Sequence, residues 1–354
     1  MYKKVYIYPP NDTNNDFIIS QSNAFSDCGI TITNKLSEFR TIDLYVFNWY
    51  ENIYNNQYLS FIKKIGFLFC LFLLKKTTVV YIHNIRPHKK YHQTPNYRLS
   101  NKLVRFMIRY CTKIAILTEN AIDYLEPSIQ KELLKNRNKI SVIPHPNFTT
   151  LVKDNKPTPK VKGGLKIVAF GKIEAYKGIE ILIEAMNRLQ DTDVETWIIG
   201  QCESEMQAKL INASRNENTH FLFQFIENEE LYHLFERFDV CVLPFDTFSC
   251  LNSSSALLAF SMKKTVICPH IATVDELPSD TCFLYTYDNK ESHIETLCTT
   301  IKQVAAIKKE NPNLLVEMGQ TCFDHVLLNC SQEEVRAKTK LMLQKEGFSN
   351  FTNH

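Results

Sequence analysis

The chain reads as an α/β protein of two doubly wound domains. Three observations carry this. Short β-branched runs alternate with amphipathic helical patterns along the whole chain, as βαβ units on a parallel sheet require. A polar stretch at 153–164, with two prolines and two glycines, interrupts the alternation, which then restarts. The 354 residues exceed a usual single domain and suit two. The expected boundaries are a first domain at 1–152, a linker at 153–164, a second domain at 165–330, and a helical tail at 331–354 packing back toward the first domain.

Composition excludes several function classes. With 44% hydrophobic and 22% charged residues, the chain reads as soluble and globular. A net charge of +3, with no dense basic stripe, argues against nucleic acid as a partner. Eleven cysteines stand singly, with no CxxC and no Cys/His cluster at zinc spacing, so they read as reduced thiols of a cytosolic protein. No signal peptide is expected, because a strand begins at Lys3–Tyr8. His83, His88 and His92 lie in a polar loop without a carboxylate, so no metal site is expected. No G-x-G-x-x-G occurs, which argues against a dinucleotide oxidoreductase.

In the first half, strands are expected at Val5–Tyr8, Asp43–Phe47, Thr78–Ile82, Ile114–Leu117 and Ile140–Ile143. Helical patterns include Phe17–Cys28 and Ser100–Tyr110. The most apolar run, Ile65–Leu74, is bracketed by Lys63-Lys64 and Lys75-Lys76. Ten residues cannot span a bilayer, which takes about 20. Two readings stay open: a buried core helix, or a helix resting on an anionic membrane surface with its lysines at the headgroups.

The second half holds the most informative stretch, LKIVAFGKIEAYKGIEILIEAMNRLQ at 165–190. A strand, Lys166–Phe170, ends at Gly171-Lys172. A polar turn leads to Lys177-Gly178 and an amphipathic helix, Ile179–Gln190. Open α/β sheets bind ligands at the carboxyl ends of strands. A glycine there lets backbone approach a ligand, a helix N-terminus favours an anion, and two ammonium groups suit a diphosphate. Solvated lysines on an ordinary turn are the plain alternative. Further strands are expected at Val194–Ile199, Thr219–Phe223, Val240–Leu243 and Thr265–Cys268. Helices are expected at Ser204–Ser214, Asn228–Phe238, Ser254–Met262 and Gln332–Lys345. Ser253, Ser254 and Ser255 open one of these helices. One serine suffices as a cap; three also suit a phosphate.

The pieces FGKIEAYKGIEILIEA, IENEELYHLFERFDVCVLPF and SSSALLAFSMKKTVI follow each other as in the donor domain of nucleotide-sugar glycosyltransferases. DLYVFNWYEN, VVYIHNIRPHKK and VIPHPNF resemble segments of the amino domain of the same enzymes, and Asn15–Ile32 resembles their opening helix. The chain thus resembles GT-B glycosyltransferases of group 1, family 4-like, of bacterial capsule and exopolysaccharide synthesis. The resemblance implies two Rossmann-like domains facing each other across a cleft. It implies that Lys172 and Lys177, with Gly171, hold the donor diphosphate. Ser253, Ser254 and Ser255 would cradle the distal phosphate. Gln224, Phe225 and Ile226 would lie along the nucleobase, and Glu276 in VDELP matches a late Glu of the pattern. The donor would be a UDP- or GDP-sugar, with no cofactor. The acceptor would be an oligosaccharide, often lipid-linked, at the inner face of the cytoplasmic membrane, which residues 63–76 would contact.

The chain departs from the family in one place. Most retaining relatives carry two Glu residues across the serine-turn segment, where this chain has Cys250 and Leu258. Neither accepts a hydrogen bond from a sugar hydroxyl as a carboxylate does. The sugar clamp is then absent or rebuilt from Asp246, Asn252 or the serines. An inverting transfer also needs a base on the acceptor hydroxyl. Candidates are His83, Glu51 and Asp16, with Asp12 and Glu119 behind them. His83 ranks first by the resemblance; a structural histidine bonded to backbone is its alternative. His145 reads as structural, and Trp49 as packing under the acceptor or in the core. A sugar-nucleotide epimerase of this fold and a non-catalytic nucleotide-sugar-binding subunit remain as rival functions.

Overall fold

The computed structural model describes residues 3–10, 15–90, 93–152, 163–190 and 192–344. Contacts divide the chain into two units, residues 1–146 with 329–354, and residues 147–328. The expected linker lies outside the described residues, except for Gly163 and Gly164.

The first unit is a six-stranded sheet with every pairing parallel. Its strands are β1 (Lys3–Tyr8), β2 (Ile30–Thr33), β3 (Leu44–Asn48), β4 (Thr77–Ile82), β5 (Lys113–Ile116) and β6 (Ile140–Val142), in spatial order β2-β1-β3-β4-β5-β6. The helices are α1 (Asp16–Asp27), α2 (Tyr58–Leu73), α3 (Tyr97–Tyr110), α4 (Ala121–Tyr124) and α5 (Pro127–Lys135). Asn15 starts α1 by accepting from the Phe17 and Ile18 amides at 3.1 and 3.3 Å. Strands β3 and β5 are buried along their full length, as strands covered on both faces must be. Phe17 and Phe25 of α1 pack over Val5, Val46 and Tyr81. The carboxyl-terminal helix α12 (Gln332–Gln344) joins this core through Val335, Met342 and Leu343. Gln332 Nε2 also donates to the Ser20 carbonyl at 3.1 Å.

The second unit is a second all-parallel sheet. It comprises β7 (Leu165–Phe170), α6 (Ile179–Asn187), β8 (Val194–Ile199), α7 (Ser204–Ala213), β9 (Thr219–Leu222), α8 (Asn228–Glu236), β10 (Val240–Val242), α9 (Ser254–Ser261), β11 (Val266–Pro269), β12 (Phe283–Tyr285), α10 (Lys290–Glu310) and α11 (Pro312–Asn329). The order is β12-β11-β10-β7-β8-β9. The segment after Pro146 packs with this unit: Asn147 Nδ2 donates to the Val326 carbonyl at 2.6 Å, and the Phe148 amide to Ser261 Oγ at 2.9 Å.

Three elements differ from the sequence reading. The opening helix stops at Asp27, and Gly29, at φ +75°, turns the chain into β2. β12 is a three-residue edge strand, too short to show a period. The buried-core reading of Ile65–Leu74 fails. The helix spans Tyr58–Leu73, and only Leu68 and Leu71 of it are buried. Among the described residues, no helix is long and apolar enough to cross a membrane.

Candidate functional site

In the second unit the chain leaves β7, runs outward through β8 and β9, and returns to β10 on the other side of β7. Ligands of such sheets bind outside the strand ends at this switch point. Two backbones meet there. Gly171 follows β7 at φ +103°, and Gly200 follows β8 at φ +148°. A Cβ on Gly200 would lie 2.1 Å from the Gly171 carbonyl oxygen. Glycine at both strand ends is therefore required by close approach and by conformation. The sequence reading found Gly171 and missed Gly200. With nine glycines in the chain, one placed directly after a strand was the available signal.

The two lysines are not equivalent. Lys177 is half-buried and turns back over Gly171; its Nζ donates to Ser255 Oγ at 2.8 Å and to the Phe170 carbonyl at 3.4 Å. Burial pulls its ammonium down to about 8, against the opposing pull of Cys250 and Glu174. Lys172 is exposed and pairs with Glu174 at 2.7 Å.

Ser253 is the N-cap of α9: its Oγ accepts from the Ala256 amide at 3.1 Å. Its own amide donates to Thr273 Oγ1 at 3.1 Å, which ties the cap to the loop after β11. Ser254 and Ser255 are then the first helical residues, whose amides have no intrahelical carbonyl to bond. Lys177 Nζ, Ser255 Oγ and a helix N-terminus thus gather at one strand end, a constellation suited to an anion.

The segment before α9 is built differently from a carboxylate clamp. Cys250 is buried, its thiol donates to the Asn252 carbonyl at 3.7 Å, and burial pushes it up to about 12. Leu258 is buried in α9. Asp246 accepts from the Phe248 amide at 3.0 Å. Tyr287, absent from the sequence reading, fastens this loop. Its hydroxyl donates to the Phe245 carbonyl at 3.0 Å and accepts from the Thr247 amide at 2.9 Å, while its ring stacks on His293 at 3.7 Å.

Of the residues expected along a nucleobase, Gln224 and Phe225 are exposed after β9 and Ile226 is buried. Glu276 is half-buried in the loop after β11.

In the first unit the switch point falls between β1 and β3. Asn48, at the end of β3, is fully buried. Its amide donates to the Tyr8 carbonyl at 3.0 Å and to Gln21 Oε1 at 2.9 Å. Its Oδ1 lies 2.9 Å from His83 Nε2. That oxygen only accepts, so His83 carries its proton on Nε2. Trp49 takes the left-handed φ +52° and stacks on the His83 ring at 4.1 Å. Phe17 closes the other side edge-on at 4.8 Å. Burial in this aromatic cage pulls His83 down to about 3 and leaves it neutral. His145 packs against Phe17, and its Nδ1 is 2.8 Å from the Pro146 carbonyl.

Glu51 contrasts with His83. It is 7% exposed, and its Oε2 has no hydrogen-bond partner. Burial raises its carboxyl to about 7, only partly offset by Lys64. It lines a cavity of about 20 Å³ with Asn84, Arg86 and Ser100. Lys64 is pulled down to about 8 by burial and donates to the Tyr50 and Asn52 carbonyls at 2.7 and 3.0 Å. Asp16 and Glu119 are exposed; Asp12 and His92 lie outside the described residues. Among the described residues, no three His, Cys, Asp or Glu side chains converge as a metal site needs.

Comparison with known proteins bears on the second unit most directly. Residues 164–303 match the family described as glycosyl transferases group 1. A GDP-mannose:glycolipid 4-beta-D-mannosyltransferase of Xanthomonas campestris pv. campestris is 27% identical over 126 residues, 34% of this chain and 36% of that protein. The match therefore spans about a third of the relative's length. Among solved structures, Anabaena Alr3699/HepE in complex with UDP superposes with a TM-score of 0.64 at 10% identity, covering 98% of this chain and 100% of that one. The E. coli trehalose-6-phosphate structure bound with UDP-2-fluoro glucose gives a TM-score of 0.64 at 10% identity, covering 97% of this chain and 99% of that one. The fold is that of the GT-B glycosyltransferases.

Proposed function

We propose that this chain transfers a sugar from a UDP- or GDP-sugar to a lipid-linked saccharide acceptor in the synthesis of a bacterial surface polysaccharide. The observation that carries the reading is the Gly171–Gly200 strand-end platform with Lys177 and Ser255 beside it, within the stretch that matches group 1 glycosyl transferases. The glycolipid mannosyltransferase relative supports a lipid-linked acceptor.

In this reading the departing diphosphate is neutralised by Lys177, with Lys172 at the rim and the amides of Ser254 and Ser255 on the distal phosphate. Preorganised donors of this kind act where charge develops, so the reading needs no metal. Gln224, Phe225, Ile226 and Glu276 are assigned to the nucleobase and ribose. The first unit holds the acceptor and supplies a base. Glu51 fits that role better than His83, because a group near 7 accepts a proton at neutral pH and one near 3 does not. His83 instead orders the strand ends through Asn48. Asp16, exposed in the first turn of α1, is the second candidate. The chain works at the inner face of the cytoplasmic membrane, touching it through residues 63–76.

The test is acceptor-dependent release of nucleoside diphosphate from UDP- and GDP-sugars, with a polyprenyl-diphosphate saccharide as acceptor. Turnover that requires the acceptor and disappears in Lys177→Ala supports the reading. Conversion of the donor without acceptor supports an epimerase instead. Donor binding without turnover supports a non-catalytic subunit.

A further inference from the structure

Helix α2 has its apolar residues on the outside. Leu59, Ile62, Phe69 and Leu73 recur at helical spacing, with Gly66 completing the row, and each of the four is at least half exposed. Such a stripe ordinarily faces a core. Here it faces outward, with Tyr58, Phe72 and Leu74 extending it. Residues 58–76 contain four lysines and no acidic residue.

Beneath the amino-terminal half of the same helix lies an open pocket of about 590 Å³. Its walls come from β1, β3 with the turn after it, and α2: Tyr6, Phe47, Tyr50, Leu59 and Phe67, with Lys63 and Lys64 also lining it. The Tyr50 and Phe47 rings pack against each other at 4.6 Å, tilted by 54°, so the wall is preformed. Lys64 is already committed to two carbonyls and lies 4.9 Å from the centre of the Tyr50 ring. Lys63 is exposed at the rim. Leu59 belongs to both the stripe and the pocket wall, so the pocket opens onto the stripe.

We infer that this pocket takes the aliphatic chain of one phosphate-bearing lipid, drawn from the membrane on which the α2 stripe rests, with Lys63 meeting the phosphate. The occupant is set by the juxtaposition. The aromatic and aliphatic wall suits hydrocarbon, and the acid-free, lysine-flanked helix suits an anionic headgroup. The inference rests on the lipid-linked acceptor of the reading above and gives that acceptor's lipid end a place.

The test uses the full chain and soluble alkyl phosphates below their micelle concentrations, with no nucleotide present. Calorimetry should show binding of dodecyl phosphate and none of inorganic phosphate. Each methylene added between octyl and dodecyl phosphate should tighten binding about fourfold, from about 0.8 kcal/mol per buried CH₂. Ser60→Trp, which places bulk in the pocket lining, should weaken dodecyl phosphate at least tenfold and leave sedimentation with phosphatidylglycerol vesicles intact. Leu73→Glu, on the stripe away from the pocket, should do the reverse. Binding to vesicles without binding of monomeric alkyl phosphate, or affinity independent of chain length, would overturn the inference. The thermal shift produced by UDP or GDP is read on the same samples; if it persists while alkyl phosphate fails, the lipid pocket falls and the transferase reading stands.

Discussion

Lys177 donates from Nζ to Ser255 Oγ at 2.8 Å, joining the turn after β7 to the first turn of α9 across 78 positions of sequence. The contact holds a half-buried ammonium at the mouth of the switch point, where burial has pulled it down to about 8. A bound diphosphate would restore the charged form. Nucleoside diphosphate binding at pH 8–9 should therefore take up protons, and affinity should fall as pH rises above 8. Calorimetry in buffers of different ionisation enthalpy measures the uptake; binding without it would remove Lys177 from the phosphate. Stability without ligand has a definite sign too. The unfolded lysine keeps its proton up to about 10.5, so the unfolded chain binds more protons between 8 and 10.5, and this group's contribution to stability rises with pH across that window.

Lys177 and Lys172 should separate cleanly on mutation. Lys177 is half-buried and hydrogen-bonded, and a charge-assisted hydrogen bond is worth about 1.5–3 kcal/mol. Lys177→Met should weaken UDP or GDP binding by roughly 10- to 150-fold. Lys172 is exposed and already paired with Glu174, and such pairs contribute about 0–1 kcal/mol. Lys172→Met should cost less than about fivefold. Titration of both variants with the same nucleotide decides it, and equal losses would contradict the geometry.

The strand-end platform predicts a stability defect. Gly200→Ala puts a methyl 2.1 Å from the Gly171 carbonyl at a φ of +148° that alanine adopts poorly. Strained backbone of this kind costs about 1–3 kcal/mol. The thermal midpoint should drop by several degrees, and nucleotide binding should weaken further because Gly171 must move. An unchanged midpoint would show that the two backbones do not meet as described.

Legibility followed the range of each interaction. Alternation and β-branching are local, so ten of the twelve strands could be read from short windows. β2 was hidden because Ile30–Thr33 directly follows a helix of similar apolar content, with only Cys28 and Gly29 between them. β12 is three residues long. The Lys177 turn and the serine cap were legible because each is a local pattern. Gly200 and Tyr287 were not, because each earns its role through a distant partner, the Gly171 carbonyl and the 245–247 backbone. Helix α2 stayed open between two readings for a related reason: an apolar run looks the same whether it faces a core or the outside. The ranking of His83 above Glu51 came from resemblance; both are buried, and burial raises the carboxyl while it lowers the imidazole.

Glu51 offers the sharpest pH signature. Its carboxyl is raised to about 7 in the folded chain against an ordinary 4.5. Between those values the folded state holds the proton and the unfolded state has released it. This group's contribution to stability is then fully present below about 4.5 and is lost as pH rises through 7, a decline on the order of 3 kcal/mol. Glu51→Gln keeps the neutral shape and removes the titration. The variant should be more stable than the parent at pH 8 and similar at pH 4.5, by chemical denaturation at both pH values. His83 carries the opposite sign: its folded value near 3 makes stability fall as pH drops from 6.5 through 3, so the two groups oppose each other between pH 4.5 and 6.5, and only the comparison with Glu51→Gln isolates the Glu51 contribution there. If Glu51 is also the base, the transfer rate should rise through an inflection near 7, and Glu51→Gln should abolish that inflection and most of the rate. A variant that keeps both would leave Glu51 a buried structural acid and pass the role to Asp16.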